Sequence, residues 1–422
     1  MTKNKYINNF FIILVLLIVP TQILGPAIPD IIISFYATFF LIYFIMFEKN
    51  KYKIIIFEKW FIIGIIFCIG SIISSSINDN YLNSLSSSIP YFRFILFAFF
   101  FKLYFLSNEK YLSLLIIVIA GSIFFTSIDI IIQYFFGKDI FGYESALERN
   151  SGPFGEELKG GSFISKYFTL CLIFLIVFSN NKLLKFNKIF IFVAVCLIGV
   201  LLSGERAALI HIVLSILMLI IFFIKKIYVY KKTIFSTLIC FILFFIFLVS
   251  ADHKNRFYYT IDELSSFRNI IDSHYGAHYI TAFQIFKENI LFGIGQNNFR
   301  IVCNDKKYSE LKSKRIDDRC STHPHNYYIQ IISDLGIINL LLFLTLIYYL
   351  FFNTIKNNNN YILNYGKIIS LVIIFFPFLP TGSFYNNWNS SLNWIIISIC
   401  ISSSVPYQLS LFNFLKKYKE NK

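Results

Sequence analysis

Apolar runs close to twenty residues long recur along this chain, divided by short polar connections. A helix of that length crosses the hydrocarbon core of a bilayer. In lipid the backbone must satisfy its own hydrogen bonds, so the runs read as helices, and the alternating pattern of a membrane barrel is absent. About twelve spans emerge, roughly at 8–25, 27–47, 59–77, 89–107, 111–136, 162–179, 188–203, 206–224, 233–250, 327–352, 367–381 and 389–406. The expected fold is all-α, a polytopic membrane protein with one long polar loop. Residues 1–250 form a first block of membrane helices, 251–326 the loop, and 327–422 the last helices and a tail. The first span has no small-residue cleavage site, so it is expected to stay as a helix.

Lysines set the orientation. Lys3 and Lys5, then Lys49, Lys51 and Lys53, then Lys182, Lys185 and Lys188, then Lys225, Lys226, Lys231 and Lys232 fill every second connection, and Lys416, Lys417, Lys419 and Lys422 close the chain. Positively charged short connections stay in the cytoplasm, which puts both termini inside and the segments 137–161 and 251–326 outside. The formal net charge of +15 is then a topology signal. It is scattered over separate short loops, which is not the footprint of a nucleic-acid surface. With 57% hydrophobic and 14% charged residues, a soluble domain is excluded.

Ionisable groups inside the membrane are costly and tend to be functional. Asp30, Arg93, Asp129, Lys166, Arg206, His211 and Asp334 are such groups, and all map to the outer halves of their spans. Snorkelling at a helix end accounts for Asp30 and Arg93. Asp129 and Asp334 lie deeper on short side chains, which points to a polar cavity opening outward. Arg206 follows a very tight turn, Ser203 to Glu205, between two spans. Its planar, permanently charged fork suits a phosphate; a pair with Glu205 is the plainer alternative.

Five of the six histidines, His253, His274, His278, His323 and His325, fall in the long loop. Imidazole is the side chain best suited to proton transfer near neutral pH. His274 and His278 share a helix face, yet no ligand cluster follows at metal spacing, so a substrate-lining or interfacial helix is the better reading and no metal is expected. His323 and His325 flank Pro324, which restricts the backbone before a helix that Asn326 is placed to cap. Gly293 and Gly295 read as a turn before Phe299, and Asp317 and Asp318 as a solvated turn. Of seven cysteines, Cys303 and Cys320 alone lie outside the membrane. An even pair in an oxidising compartment reads as a disulfide, with two free thiols as the alternative.

These residues resemble the O-antigen ligase and polymerase-like superfamily of bacterial envelopes. His325, Asn326, Tyr327 and Tyr328, followed by Asp334 and Gly336, are similar to its histidine, aromatic and acidic-x-glycine signature. Gly293 to Phe299, Ser203 to Arg206 and Arg149 to Gly155 are similar to three further elements, in the same order. The resemblance implies an inverting, metal-independent and cofactor-free glycosyltransferase of lipopolysaccharide biosynthesis, working at the periplasmic face of the inner membrane. Its donor would be a glycan on undecaprenyl diphosphate, and its acceptor a lipid A core sugar for a ligase or a second lipid-linked repeat for a polymerase. Arg206 and His325 would match the essential arginine and histidine. His323, Asn326, His274, His278, Lys166, Arg93 and Asp334 are expected to bind substrate. The chain departs from the pattern where many relatives have an arginine four residues before a tryptophan: it has His274 and His278 there, and Arg268 and Arg300 are candidates for the missing cation. A transporter of the same lipid-linked glycan is a further reading, disfavoured because the buried charges stop at the outer half.

Overall fold

The computed structural model describes residues 5–48, 58–146, 149–178, 182–223, 265–356 and 360–403, with isolated positions between 251 and 263. Among these residues every regular element is a helix, and β pairing is confined to two isolated bridges, Lys138 with Glu144 and Ala146 with Arg149.

Among the described residues, six helices are long and apolar enough to cross a membrane: Ala27–Phe47, Lys59–Ile77, Tyr81–Phe105, Glu109–Phe136, Gly160–Val177 and Tyr327–Lys356. Shorter apolar helices cover Tyr6–Thr21, Lys188–Leu202, Arg206–Phe222 and Tyr361–Ile374. The expected span at 233–250 lies outside the described residues, as does His253. Ile31, Phe35, Ile42, Ile45 and Met46 of one helix stand exposed. An apolar face of that extent is unusual on a soluble monomer and is natural against lipid.

Three boundaries differ from the sequence expectation. The segment 81–105 is one continuous element, because Pro90 sits at the start of the short 3-10 turn Ile89–Tyr91, where its missing N–H costs nothing. The expected span at 367–381 is a helix over Tyr361–Ile374. Asn360 caps it by accepting from Ile362 N at 3.1 Å, and Pro377 forbids its continuation. The last helix, Asn387–Ile401, is buried along almost its whole length. Protein surrounds it, so it can carry Asn389, Ser390, Ser391 and Asn393 with their hydrogen bonds met internally.

The helix Tyr327–Lys356 is broken at Gly336, whose φ of 74° and ψ of −175° are non-helical. The loop 290–295 fills the break. Ile294 N donates to Ser333 O at 3.2 Å, Gly295 N to Asp334 O at 2.7 Å, and Ile337 N to Ile290 O at 2.8 Å. A Cβ on Gly336 would stand 2.3 Å from Leu291 O, and one on Gly293 would stand 2.4 Å from the Asp334 carbonyl carbon. Both glycines are required for two backbones to approach this closely.

Cys303 and Cys320 are bonded, with Cα atoms 5.3 Å apart. The bridge fixes the segment that leads into His323 and His325. Arg319, its neighbour, donates from Nε to Cys303 O at 3.0 Å, and its own carbonyl meets His278 Nδ1 at 3.1 Å. Closing a loop of this size stabilises the ordered loop by about 3 kcal/mol in the chain-entropy model. Replacing both cysteines by alanine is therefore expected to speed amide exchange across 303–325. Unchanged exchange there would show that packing alone orders the segment.

Candidate functional site

Two cavities lie where the long loop meets the helix ends. The first, of about 420 Å³, is lined by Arg149, Lys166, Arg206, His211 and His325, with Tyr275 and Tyr279 on the loop side. The second, of about 560 Å³, is lined by Arg93, Arg300 and His323. Lys159, Gly382 and Asn389 line both.

Arg206 opens the helix Arg206–Phe223 after the turn that Gly204 makes with a φ of 67°. Its Nη1 donates to Glu263 Oε2 at 3.0 Å. The Glu205 carboxylate meets the start of the helix Gly160–Phe178, accepting from Gly161 N at 2.7 Å, Ser162 N at 3.1 Å and Ser162 Oγ at 2.5 Å. A carboxylate is favoured at a helix N-terminus by the unpaired N–H groups and the dipole. The tight turn thus separates the two charges by function: Glu205 ties two helices together and Arg206 faces the cavity.

The histidines cluster. The rings of His323 and His325 are 4.2 Å apart, and His278 and Tyr275 are each 5.4 Å from His325. His325 has a φ of 57°, a region where histidine is tolerated better than most side chains. Its carbonyl accepts from Thr381 N at 2.8 Å, and its Nε2 lies 3.1 Å from Ser321 Oγ. Burial, then the neighbouring imidazoles of His323, His278 and His274, push His325 down to about 3. Burial likewise lowers His323 to about 4, and it lowers His278. All three are neutral at ordinary pH. His323 Nε2 faces Thr381 O at 3.3 Å and its Nδ1 faces Thr322 Oγ1 at 2.8 Å. A carbonyl can only accept, so Nε2 carries the proton and Nδ1 accepts from the hydroxyl. By the same argument His278 donates from Nδ1 to Arg319 O.

The other expected site residues fall into three groups. Lys166 joins Arg206 and His325 in the first cavity. Arg93 and Arg300 line the second, where Arg93 is already held by Asp30 at 2.6 Å and by Asn387 at 3.0 Å. Asn326, Asp334, His274, His278 and Arg268 line neither. Asn326 is used by the fold: its Oδ1 accepts from Tyr328 N at 3.0 Å and its Nδ2 donates to Pro377 O at 2.7 Å. Asp334 is buried and accepts from Asn297 N at 3.2 Å, so it anchors the loop that fills the helix break. His274 pairs with Asp318 at 3.2 Å on the surface, and Arg268 is 86% exposed beside Asp272. The helix His274–Glu288 reaches the cavity through Tyr275 and Tyr279 instead. No three His, Cys, Asp or Glu residues converge to hold a metal among the described residues.

Two further cations line the first cavity, Arg149 and Lys159, and neither carries a functional signal of its own in the sequence. Arg149 donates from Nη2 to Leu158 O at 3.3 Å, and Lys159 sits 5.3 Å over the Trp388 ring. The only hint was the position of Arg149 at the head of the Arg149 to Gly155 element.

Residues 189–344 match the family model described as O-antigen ligase, which supports an O-antigen ligase-like family for the chain. The matched segment contains Arg206, the histidine cluster and the helix break at Gly336. No curated protein matches the chain.

Proposed function

We propose, with the O-antigen ligase match as premise, that this protein transfers a glycan from undecaprenyl diphosphate to an acceptor sugar, lipid A core, at the periplasmic face of the bacterial inner membrane. The observation that carries the reading is one cavity lined by both Arg206 and His325, residues far apart in sequence that the family resemblance pairs. The adjoining cavity at His323 offers a second chamber, as a reaction between two large substrates requires.

In the proposed reaction the acceptor hydroxyl oxygen attacks the anomeric carbon, and the bond from that carbon to the diphosphate oxygen breaks with inversion. The hydroxyl proton passes to the neutral imidazole of His325. The electron pair leaves with the diphosphate, and Arg206 stabilises the charge that develops there. To do so the diphosphate must displace Glu263 from the guanidinium. Energy comes from the glycosyl phosphoester, so no nucleotide takes part. The reaction is proposed to need no metal, as the family resemblance implies.

The test is chain deletion followed by electrophoresis of the surface polysaccharide, with purified protein assayed in EDTA alongside. Bare core with polymer accumulating on carrier lipid is the expected result. Core capped with a single repeat would make the enzyme a polymerase, and normal polysaccharide would end the reading. EDTA is expected to leave transfer intact; loss restored by a divalent ion would overturn metal independence.

A further inference from the structure

We infer that Lys166 binds an anionic group of the lipid-linked donor, a phosphate oxygen of its diphosphate or a carboxylate of the adjoining sugar, and so supplies the second cation that His274 and His278 do not. The inference rests on the glycosyltransferase reading above and adds a binding residue to it.

Lys166 lies roughly 9 Å along its helix from Gly160, below the level at which Arg206 opens its own helix. It is only 6% exposed, and it lines the cavity of Arg206 and His325. Its hydrogen-bond partners are all neutral oxygens: Asn389 Oδ1 at 3.3 Å, Asn393 Oδ1 at 3.4 Å and Tyr327 OH at 3.4 Å. Each is longer than a good charge-assisted hydrogen bond, about 2.7–2.9 Å. The Tyr327 ring adds a weak contact at 6.0 Å.

The other cations lining this cavity each have a carboxylate at hand. Arg206 meets Glu263, Lys159 meets Glu157, and the charge of Arg149 acts on Glu205. Lys166 has none among the described residues. A buried cation without an anion carries an uncompensated desolvation cost. The three long hydrogen bonds to Asn389, Asn393 and Tyr327 offset only part of it. The fold gains a preorganised anion site, because Asn389, Asn393 and Tyr327 orient the ammonium without neutralising it. Lys166 and His325 line the same cavity, so an anion held by Lys166 shares that cavity with the proposed base.

The test compares wild type, Lys166→Met and Lys166→Arg, in detergent, for thermal unfolding and for binding of a polyprenyl diphosphate that carries no sugar. Transfer is then measured from neutral and from acidic lipid-linked glycans. Lys166→Met is expected to unfold, without ligand, close to the wild-type temperature, because relief of the buried charge offsets the long hydrogen bonds that are lost. Its affinity for the bare diphosphate is expected to fall about tenfold to a hundredfold, the loss of one hydrogen bond to a charged group. KM for the donor should rise with it, and Lys166→Arg should recover much of the loss. Normal affinity for the bare diphosphate with a selective loss on the acidic glycan assigns Lys166 to the sugar carboxylate. Wild-type behaviour of Lys166→Met on every donor overturns the inference. So does an unfolding temperature lowered by several degrees with donor binding intact, since that is the mark of a structural residue. If wild type itself neither binds the diphosphate nor transfers, the glycosyltransferase reading falls first, and the failure is distinguishable from that of Lys166 alone.

Discussion

Arg206→Ala is expected to slow transfer by about 10²–10³-fold, the usual cost of removing one donor aimed at developing charge. The turn fixes the backbone from which the side chain reaches the cavity, and Glu263 already holds the guanidinium there, so the group is oriented before it meets a diphosphate. Its partner, Glu263, is itself 39% exposed and can yield to a stronger anion. Arg206→Lys keeps a positive charge but not the planar fork, and it is expected to recover only a small part of the rate. The fold should tolerate both changes, because Arg206 is partly exposed at a helix start and the ties between the two helices run through Glu205. The measurement is in vitro transfer from polyprenyl-diphosphate glycan with matched amounts of folded protein. Near wild-type transfer by the alanine variant would remove Arg206 from the site.

Much of this arrangement is legible in the sequence because a membrane makes polar residues expensive. Lys166 and Arg206 stand out against apolar runs, and the histidines stand out by their concentration. Where that contrast vanishes, sequence reasoning loses its purchase. Arg149 and Lys159 belong to a polar connection, where a cation carries no desolvation signal. Asp334 stood out for the same reason as Lys166, but its carboxylate turned out to serve a backbone amide of a distant loop. Nothing local distinguishes a carboxylate that meets substrate from one that anchors a loop. The break at Gly336 is likewise invisible in a periodic apolar run, since it exists only because the segment 290–295 supplies the missing hydrogen bonds. Arg268 and Arg300 were both plausible as the second cation by loop position alone. Three-dimensional placement separates them: Arg268 points to solvent and Arg300 lines the second cavity.

His325→Asn is expected to lower transfer by about 10²–10⁴-fold, the range for loss of a positioned general base. Asparagine is a better probe than alanine here, because it tolerates the positive φ of this position and leaves the carbonyl bond from Thr381 N in place. Donor binding should survive, since Arg206 remains. The pH dependence gives an independent check. Burial, then the neighbouring histidines, hold His325 down to about 3, so it is unprotonated through the ordinary range. A bound diphosphate brings negative charge into the cavity, which favours the protonated imidazole and raises its pKa. The acid limb of kcat/KM reports the free enzyme and that of kcat the substrate complex. The limb of kcat is therefore expected at the higher pH, and both limbs should be lost in His325→Asn. The two limbs coinciding near 6.5, the ordinary histidine value, would mean that the titrating group is exposed and is not His325. Substantial transfer by His325→Asn with an unchanged profile would leave the resemblance standing for the fold and would move the base elsewhere.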